Sequence, residues 1–203
     1  IKHRWLIFFL QFLILAPTNT IASDQTITVA VASNFRTTLQ EIAEQYEALK
    51  GHAVRISAAS SGKLYAQISN GAPFDVFLSA DAERPRRLES AGIAIDGSRF
   101  TYAIGNLVLW SRDPAFAGKD CKNSLEKLQV SRLAIANPVT APYGTASRQA
   151  LENLGIWTEA QSRLVIGENI SQALQFTASG GATLGLVAAT QIKNPNLPAT
   201  SCL

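Results

Sequence analysis

A chain of 203 residues, 47% hydrophobic and 16% charged, has length for one sizeable domain or two small lobes, and it contains no low-complexity tract or repeat. Its 18 Lys and Arg stand against 15 Asp and Glu, and without Lys2 and Arg4 of the leader described next the balance is 16 against 15. A near-neutral chain with no basic run argues against nucleic acid or an anionic membrane surface as partner, so any anion must be held by local donors.

The first residues read as a secretory leader. Lys2, His3 and Arg4 form a basic start, 5–15 is apolar apart from Gln11, and 16–23 is small and polar. The apolar run is shorter than the roughly 20 residues that span a bilayer. Cleavage after Ala22 is expected, leaving a mature chain that starts near Ser23 or Asp24 outside the cytoplasm.

From there strand and helix patterns alternate, which predicts α/β architecture with largely parallel strands. Residues 26–32 read as a buried strand. Phe35, Leu39, Ile42, Tyr46 and Leu49 follow at helical spacing, stopped by Lys50-Gly51. A second strand is expected over 53–58, then Ser60-Ser61-Gly62 and a helix to about Asn70-Gly71. A third strand spans 74–79, with Asp81 as N-cap of a helix through Leu88. The apolar stretch 101–111 is long enough to cross between lobes. Beyond it come a short element at 125–128, a strand at 133–136, and a helix from about Thr145 to Leu154 stopped by Gly155. A strand at 164–166, a helix after Asn169 and a return strand at 183–189 complete the pattern. Residues 198–203 complete no recognisable element and the chain contains no methionine, so continuation past Leu203 is expected. Cys121 and Cys202 lack metal-type spacing, and whether they pair is left open.

Four strand-to-helix junctions carry small, hydroxyl or amide residues: Ser33-Asn34, Ser60-Ser61-Gly62, Tyr143-Gly144-Thr145 and Asn169-Ile170-Ser171. A helix start offers unpaired N–H groups and a partial positive charge, and neutral side chains add donors without adding charge. Converging, the four would surround a tetrahedral dianion. Ordinary capping explains any one of them well and is the preferred reading of a single junction, and spacing alone does not show convergence.

Catalytic chemistry finds little support, and the chain is not expected to be an enzyme. His3 falls in the leader and His52 in a turn after Gly51, with no Gly-x-Ser-x-Gly elbow to pair with. No Cys/His cluster suits zinc, and no phosphate-loop or dinucleotide fingerprint is present. Asp75, inside a strand, and Asp81, at a helix start, are expected to be structural.

Several motifs in order carry a resemblance. These are Val29-Ala30-Val31-Ala32-Ser33-Asn34-Phe35, Ser61-Gly62-Lys63-Leu64-Tyr65, Gly71-Ala72-Pro73-Phe74-Asp75-Val76-Phe77-Leu78-Ser79-Ala80-Asp81, Ala136-Asn137-Pro138, Ala141-Pro142-Tyr143-Gly144 and Gly167-Glu168-Asn169-Ile170. The chain resembles, from about Thr26 to Ile192, the periplasmic molybdate-binding proteins that serve ABC-type importers. The resemblance implies two α/β lobes with mixed, mostly parallel sheets flanked by helices and the ligand in the interlobe cleft. It divides the chain into a leader at 1–22, a first lobe of 23–103 plus 187–203, and a second lobe of 104–186. It implies oxyanion contacts at Ser33, Asn34, Ser61, Tyr143 and Ile170, partly through backbone N–H groups, and no protein ligand to molybdenum. It further implies molybdate or tungstate as ligand, no cofactor, a membrane permease as partner and a monomeric receptor. A tyrosine that some relatives place in the late return strand is absent, since this chain reads Leu186-Val187-Ala188-Ala189 there. Another oxyanion such as sulfate, a ferric complex and an α/β enzyme are the competing readings; the four tyrosines, at 46, 65, 102 and 143, are too scattered to favour iron.

Overall fold

Short runs of β-branched and small apolar residues, each followed by an amphipathic segment, sort into two sheets in the computed structural model. The structure describes residues 26–116, 121–126, 132–193 and 201–202; the expected leader at 1–22 lies outside them. Two lobes follow, each a helix-flanked sheet.

The first lobe contains β1 (Ile27–Ala32), β2 (Val54–Ala59) and β3 (Val76–Leu78), in the order β2-β1-β3 with both pairings parallel. α1 (Arg36–Lys50) packs Leu39 beneath Val29 and Val31, with Ile27, Phe35, Val54, Ile56 and Leu78 around them. The helix ends at Gly51, whose φ of 73° is the left-handed geometry that the Lys50-Gly51 stop anticipates. α2 (Ser61–Ser69) buries Leu64, and α3 (Glu83–Ser90) buries Leu88. Asp75 is tied to β1: its carboxylate accepts from the Thr28 N–H at 2.7 Å, and its own N–H donates to the Thr28 carbonyl. That is the structural role expected of it.

The second lobe is a five-stranded sheet in the order β6-β5-β7-β4-β8. Its members are β4 (Leu107–Trp110), β5 (Leu133–Ala136), β6 (Leu164–Gly167), β7 (Leu184–Ala188) and β8 (Ser201–Cys202). β5 pairs in parallel with β6 and β7, while β4 runs antiparallel to β7 and β8. α4 (Cys121–Glu126), α5 (Pro142–Asn153), α6 (Trp157–Ala160) and α7 (Ile170–Ala178) flank it. The apolar core is concentrated here, in a cluster of Leu109, Leu125, Leu133, Ile135, Leu151, Leu184 and Leu186. Cys121 is disulfide-bonded, and Cys202 is the only other cysteine of the chain.

Four expectations shift. Only Leu107–Trp110 of the long 101–111 stretch is a strand, and 101–106 runs as irregular chain between the lobes. The helix placed at Thr145 begins at Pro142, because proline at the first turn needs no N–H partner and arrives with a helical φ. Residues 125–126 belong to the end of a helix that starts at Cys121. The pairing of β4 with both β7 and β8 also places Val187, Ala188, Ser201 and Cys202 in the second sheet, where the sequence division had them in the first lobe. Which strand captures a backbone edge is set by hydrogen bonding that the residue pattern does not carry.

Candidate functional site

Parallel strands send all their following helices off one edge, and a ligand crevice forms where neighbouring connections diverge from a central strand. In the first lobe that strand is β1, with β2 and β3 on either side. In the second it is β5, between β6 and β7. The connections after β1, β2, β5 and β6 are the four junctions singled out in sequence, and the structure brings them together pairwise across the cleft. Ser171 Oγ donates to the Ser33 carbonyl at 3.2 Å, joining the fourth junction to the first. The Gly62 N–H donates to the Thr140 carbonyl at 2.9 Å, joining the second to the third. Tyr143 and Ile170 share one buried cluster with Ala136 and Ala141, against which Ala80 of the first lobe packs.

The four helix starts differ in how their N–H groups are used. At the first, Ser33 and Asn34 lie in a single 3-10 turn, Ser33–Phe35, and no side chain caps either that turn or α1. Ser33 is nearly buried. At the second, Ser60 is the cap, its Oγ accepting from the Lys63 N–H at 3.4 Å. Ser61 is fully buried and its Oγ accepts the Ala80 N–H at 3.0 Å. A hydroxyl whose lone pair is taken in this way still has its own proton to donate. At the third, Ala141 caps nothing with its side chain and Pro142 has no N–H, so Tyr143 supplies the first amide proton of α5. At the fourth, Asn169 Oδ1 accepts from the Ser171 and Gln172 N–H groups at 3.0 and 3.1 Å. That side chain is a cap, and it leaves the backbone of Ile170 as the junction's remaining donor.

Two buried polar atoms at the first and third junctions, Asn34 Oδ1 and Tyr143 Oη, have no well-formed hydrogen bond among the described residues. They are neighbours. Burial pushes the Tyr143 phenol upward, and the Asn34 amide opposes that rise, though the pair falls short of good hydrogen-bond geometry. An amide can turn either its oxygen or its N–H groups to one spot by rotating about its last torsion, so Asn34 is able to present donors. Buried polar atoms normally find partners, and two adjacent orphans mark a place built for something that supplies them.

Below the site, Tyr102 donates to the Ser79 carbonyl at 2.8 Å and packs edge-on against Phe35, ring centroids 5.1 Å apart. Burial first, and then the neighbouring Tyr143, push its phenol up to about 12. Charges stand at the rim. Lys63 Nζ meets Glu168 Oε2 at 2.7 Å across the cleft mouth, both well exposed. Asp81 pairs with Arg84, whose guanidinium reaches the Val139 carbonyl at 3.5 Å. Asp81 Oδ1 also accepts the Arg84 N–H, so it steadies the start of α3 although Ala82 is the formal cap. Among the described residues no group of His, Cys, Asp and Glu is placed to hold a metal ion.

Ser33, Asn34, Ser61, Tyr143 and Ile170 therefore all lie on the facing edges of the two sheets. Sequence reasoning missed Ala80, whose N–H orients Ser61, the bridging Thr140 carbonyl and the Lys63–Glu168 pair. None carries a residue-type signal: two act through backbone atoms, and the third joins charges 105 positions apart.

A family model described as bacterial extracellular solute-binding protein matches residues 27–201. The chain belongs to that family. Its solved relatives include the periplasmic molybdate-binding protein of Azotobacter vinelandii, which superposes with a TM-score of 0.80 at 46% identity, covering 86% of this chain and 77% of that one. In sequence this solute-binding protein is 49% identical over 166 residues to the molybdate-binding protein ModA of Azotobacter vinelandii, and 45% identical over 166 residues to that of Rhodobacter capsulatus. Each match covers 82% of this chain, which spans 66% and 65% of the two relatives' own lengths.

Proposed function

We propose that this solute-binding protein captures molybdate, and tungstate equally, in the cleft between its lobes and hands it to the membrane permease of an ABC importer. The observation that carries an oxyanion is the meeting of four helix starts whose side chains are neutral, two of them bearing adjacent orphaned polar atoms. The names of the relatives at 49% and 45% identity narrow the oxyanion to molybdate.

In this reading Ser33 and Ser61 donate hydroxyl protons, Asn34 turns its N–H groups inward, and Tyr143 and Ile170 contribute donors from the starts of α5 and α7. Ser61 is held for the task by the Ala80 N–H. Charge on the anion is met by N–H dipoles rather than by a cation, as helix starts allow. A wall of donors accepts an anion that carries no proton and penalises protonated phosphate, whose O–H would face another donor. Sulfate is equally unprotonated, so its rejection rests on cavity size. The metal stays wrapped in its own four oxygens and meets no protein ligand. The expected leader at 1–22 supports a periplasmic receptor, and a disulfide at Cys121 suits that oxidising compartment. The receptor acts as a monomer and performs no chemistry on its cargo.

Titration calorimetry with molybdate, tungstate, sulfate and phosphate tests the proposal. Comparable binding of the first two, with sulfate much weaker and phosphate weakest, is expected. Tighter binding of sulfate than of molybdate would overturn the assignment.

A further inference from the structure

Gly105 lies in the irregular stretch that carries the chain from the first lobe into β4. A Cβ added to it would stand 2.1 Å from Tyr143 Oη and 3.2 Å from Tyr143 Cζ, with Cε2 next at 3.9 Å. Its φ lies outside the left-handed region, so the backbone does not demand glycine. The only demand comes from the phenol. The Tyr143 ring is held in the Ala136, Ala141 and Ile170 cluster and is only 8% exposed, so it has little freedom to swing aside. The hydroxyl thus lies directly beneath the Gly105 backbone, at the one point of the crossing segment where no side chain intervenes.

We infer that Gly105 is a specificity-determining position: by leaving room for the Tyr143 hydroxyl it sets how far that group stands from Asn34, and with it the size of oxyanion the cleft accepts. This rests on the reading of Tyr143 as part of the oxyanion site. A methyl group at 105 drives the hydroxyl away from the crossing segment and changes the space beside Asn34. Molybdate has longer metal–oxygen bonds than sulfate's sulfur–oxygen bonds, so a site reshaped at one donor alters their ratio rather than lowering both alike. The same contact predicts its own suppressor. In a Tyr143→Phe background the atom at 2.1 Å is gone and the nearest remaining contact is Cζ at 3.2 Å, which a small shift relieves.

The test is a double-mutant cycle on the full chain with calorimetry against molybdate and sulfate, using Gly105→Ala, Tyr143→Phe and the pair, each checked for an unchanged melting transition. Gly105→Ala alone is expected to weaken molybdate about tenfold, the scale of one charged hydrogen bond, and to change the molybdate-to-sulfate ratio. In the Tyr143→Phe background the same substitution should alter affinity by less than about twofold, the non-additivity expected of touching residues. An equal loss in both backgrounds, an unchanged ratio or no loss at all would overturn the role of Gly105. Unchanged affinity in Tyr143→Phe alone would instead overturn the placing of the Tyr143 hydroxyl in the site, and the two failures are read from different members of the cycle.

Discussion

The helix starts after β1 and β5 and those after β2 and β6 look alike in sequence but do different work. After β2 and β6, Ser60 and Asn169 spend their side chains on capping, so the junction has mainly backbone N–H groups and the adjacent Ser61 to offer. After β1 and β5 no side chain caps the helix, and Asn34 and Tyr143 carry the orphaned buried atoms. In the proposed reading the same residue types serve stability in one pair and recognition in the other. What separates them is whether the polar atom finds its partner within its own turn.

That contrast is broken most forcefully by charge. Asn34→Asp keeps the shape but faces a dianion with a carboxylate, and should cost roughly 3–5 kcal/mol or more in molybdate affinity, read by calorimetry. Retained micromolar binding would place Asn34 outside the site. Neutral truncations come next: Asn34→Ala and Ser61→Ala should each weaken binding by about 1–3 kcal/mol, with unchanged affinity in both counting against convergence. Asn169→Ala probes the capped pair. Its main effect should be about 1 kcal/mol of stability, a few degrees in melting temperature, with a smaller change in affinity. If its affinity loss matched that of Asn34→Ala, the division between capping and recognition would collapse.

The smallest effect is expected from pH. Affinity should stay flat between about pH 6 and 9, because the side chains assigned to the site are neutral there. The Tyr102 phenol rises from 10.0 to about 12 in the folded chain, and Tyr143 also rises. The unfolded chain therefore releases these protons first, so stability is intact below pH 10 and falls as pH climbs toward 12. Ionising Tyr143 would also replace a donor with a negative charge, so molybdate affinity should drop once pH climbs above the ordinary phenol range. A decline centred near neutrality in either measurement would require a titrating group elsewhere in the cleft.

The strands and most helices were legible because their apolar residues recur at the right period: β1, α1, β2, β5 and β7 fall within a residue or two of expectation. The stretch 101–106 misled because its apolar residues look strand-like while no strand among the described residues pairs with them. The candidate site was legible only as a set of helix starts, since Ser, Asn and Gly after a strand mark such a start whether or not it binds anything. Which of them cap and which stay open was not, because Ser60 and Asn169 differ from Ser33 and Asn34 in whether the side chain reaches an N–H of its own turn, which residue type alone does not decide. Gly105 gave no local signal either, as its constraint comes from a ring 38 positions away.

The Lys63–Glu168 pair spans the cleft mouth with side chains 46% and 64% exposed. An exposed pair contributes little to the depth of binding, but it must part before the cargo leaves, and ions at physiological strength screen it over a Debye length of about 8 Å. Salt should then shorten the residence time of the bound anion more than it slows capture. A receptor so arranged would let go faster in brine than in dilute medium, with the cleft's own contacts untouched.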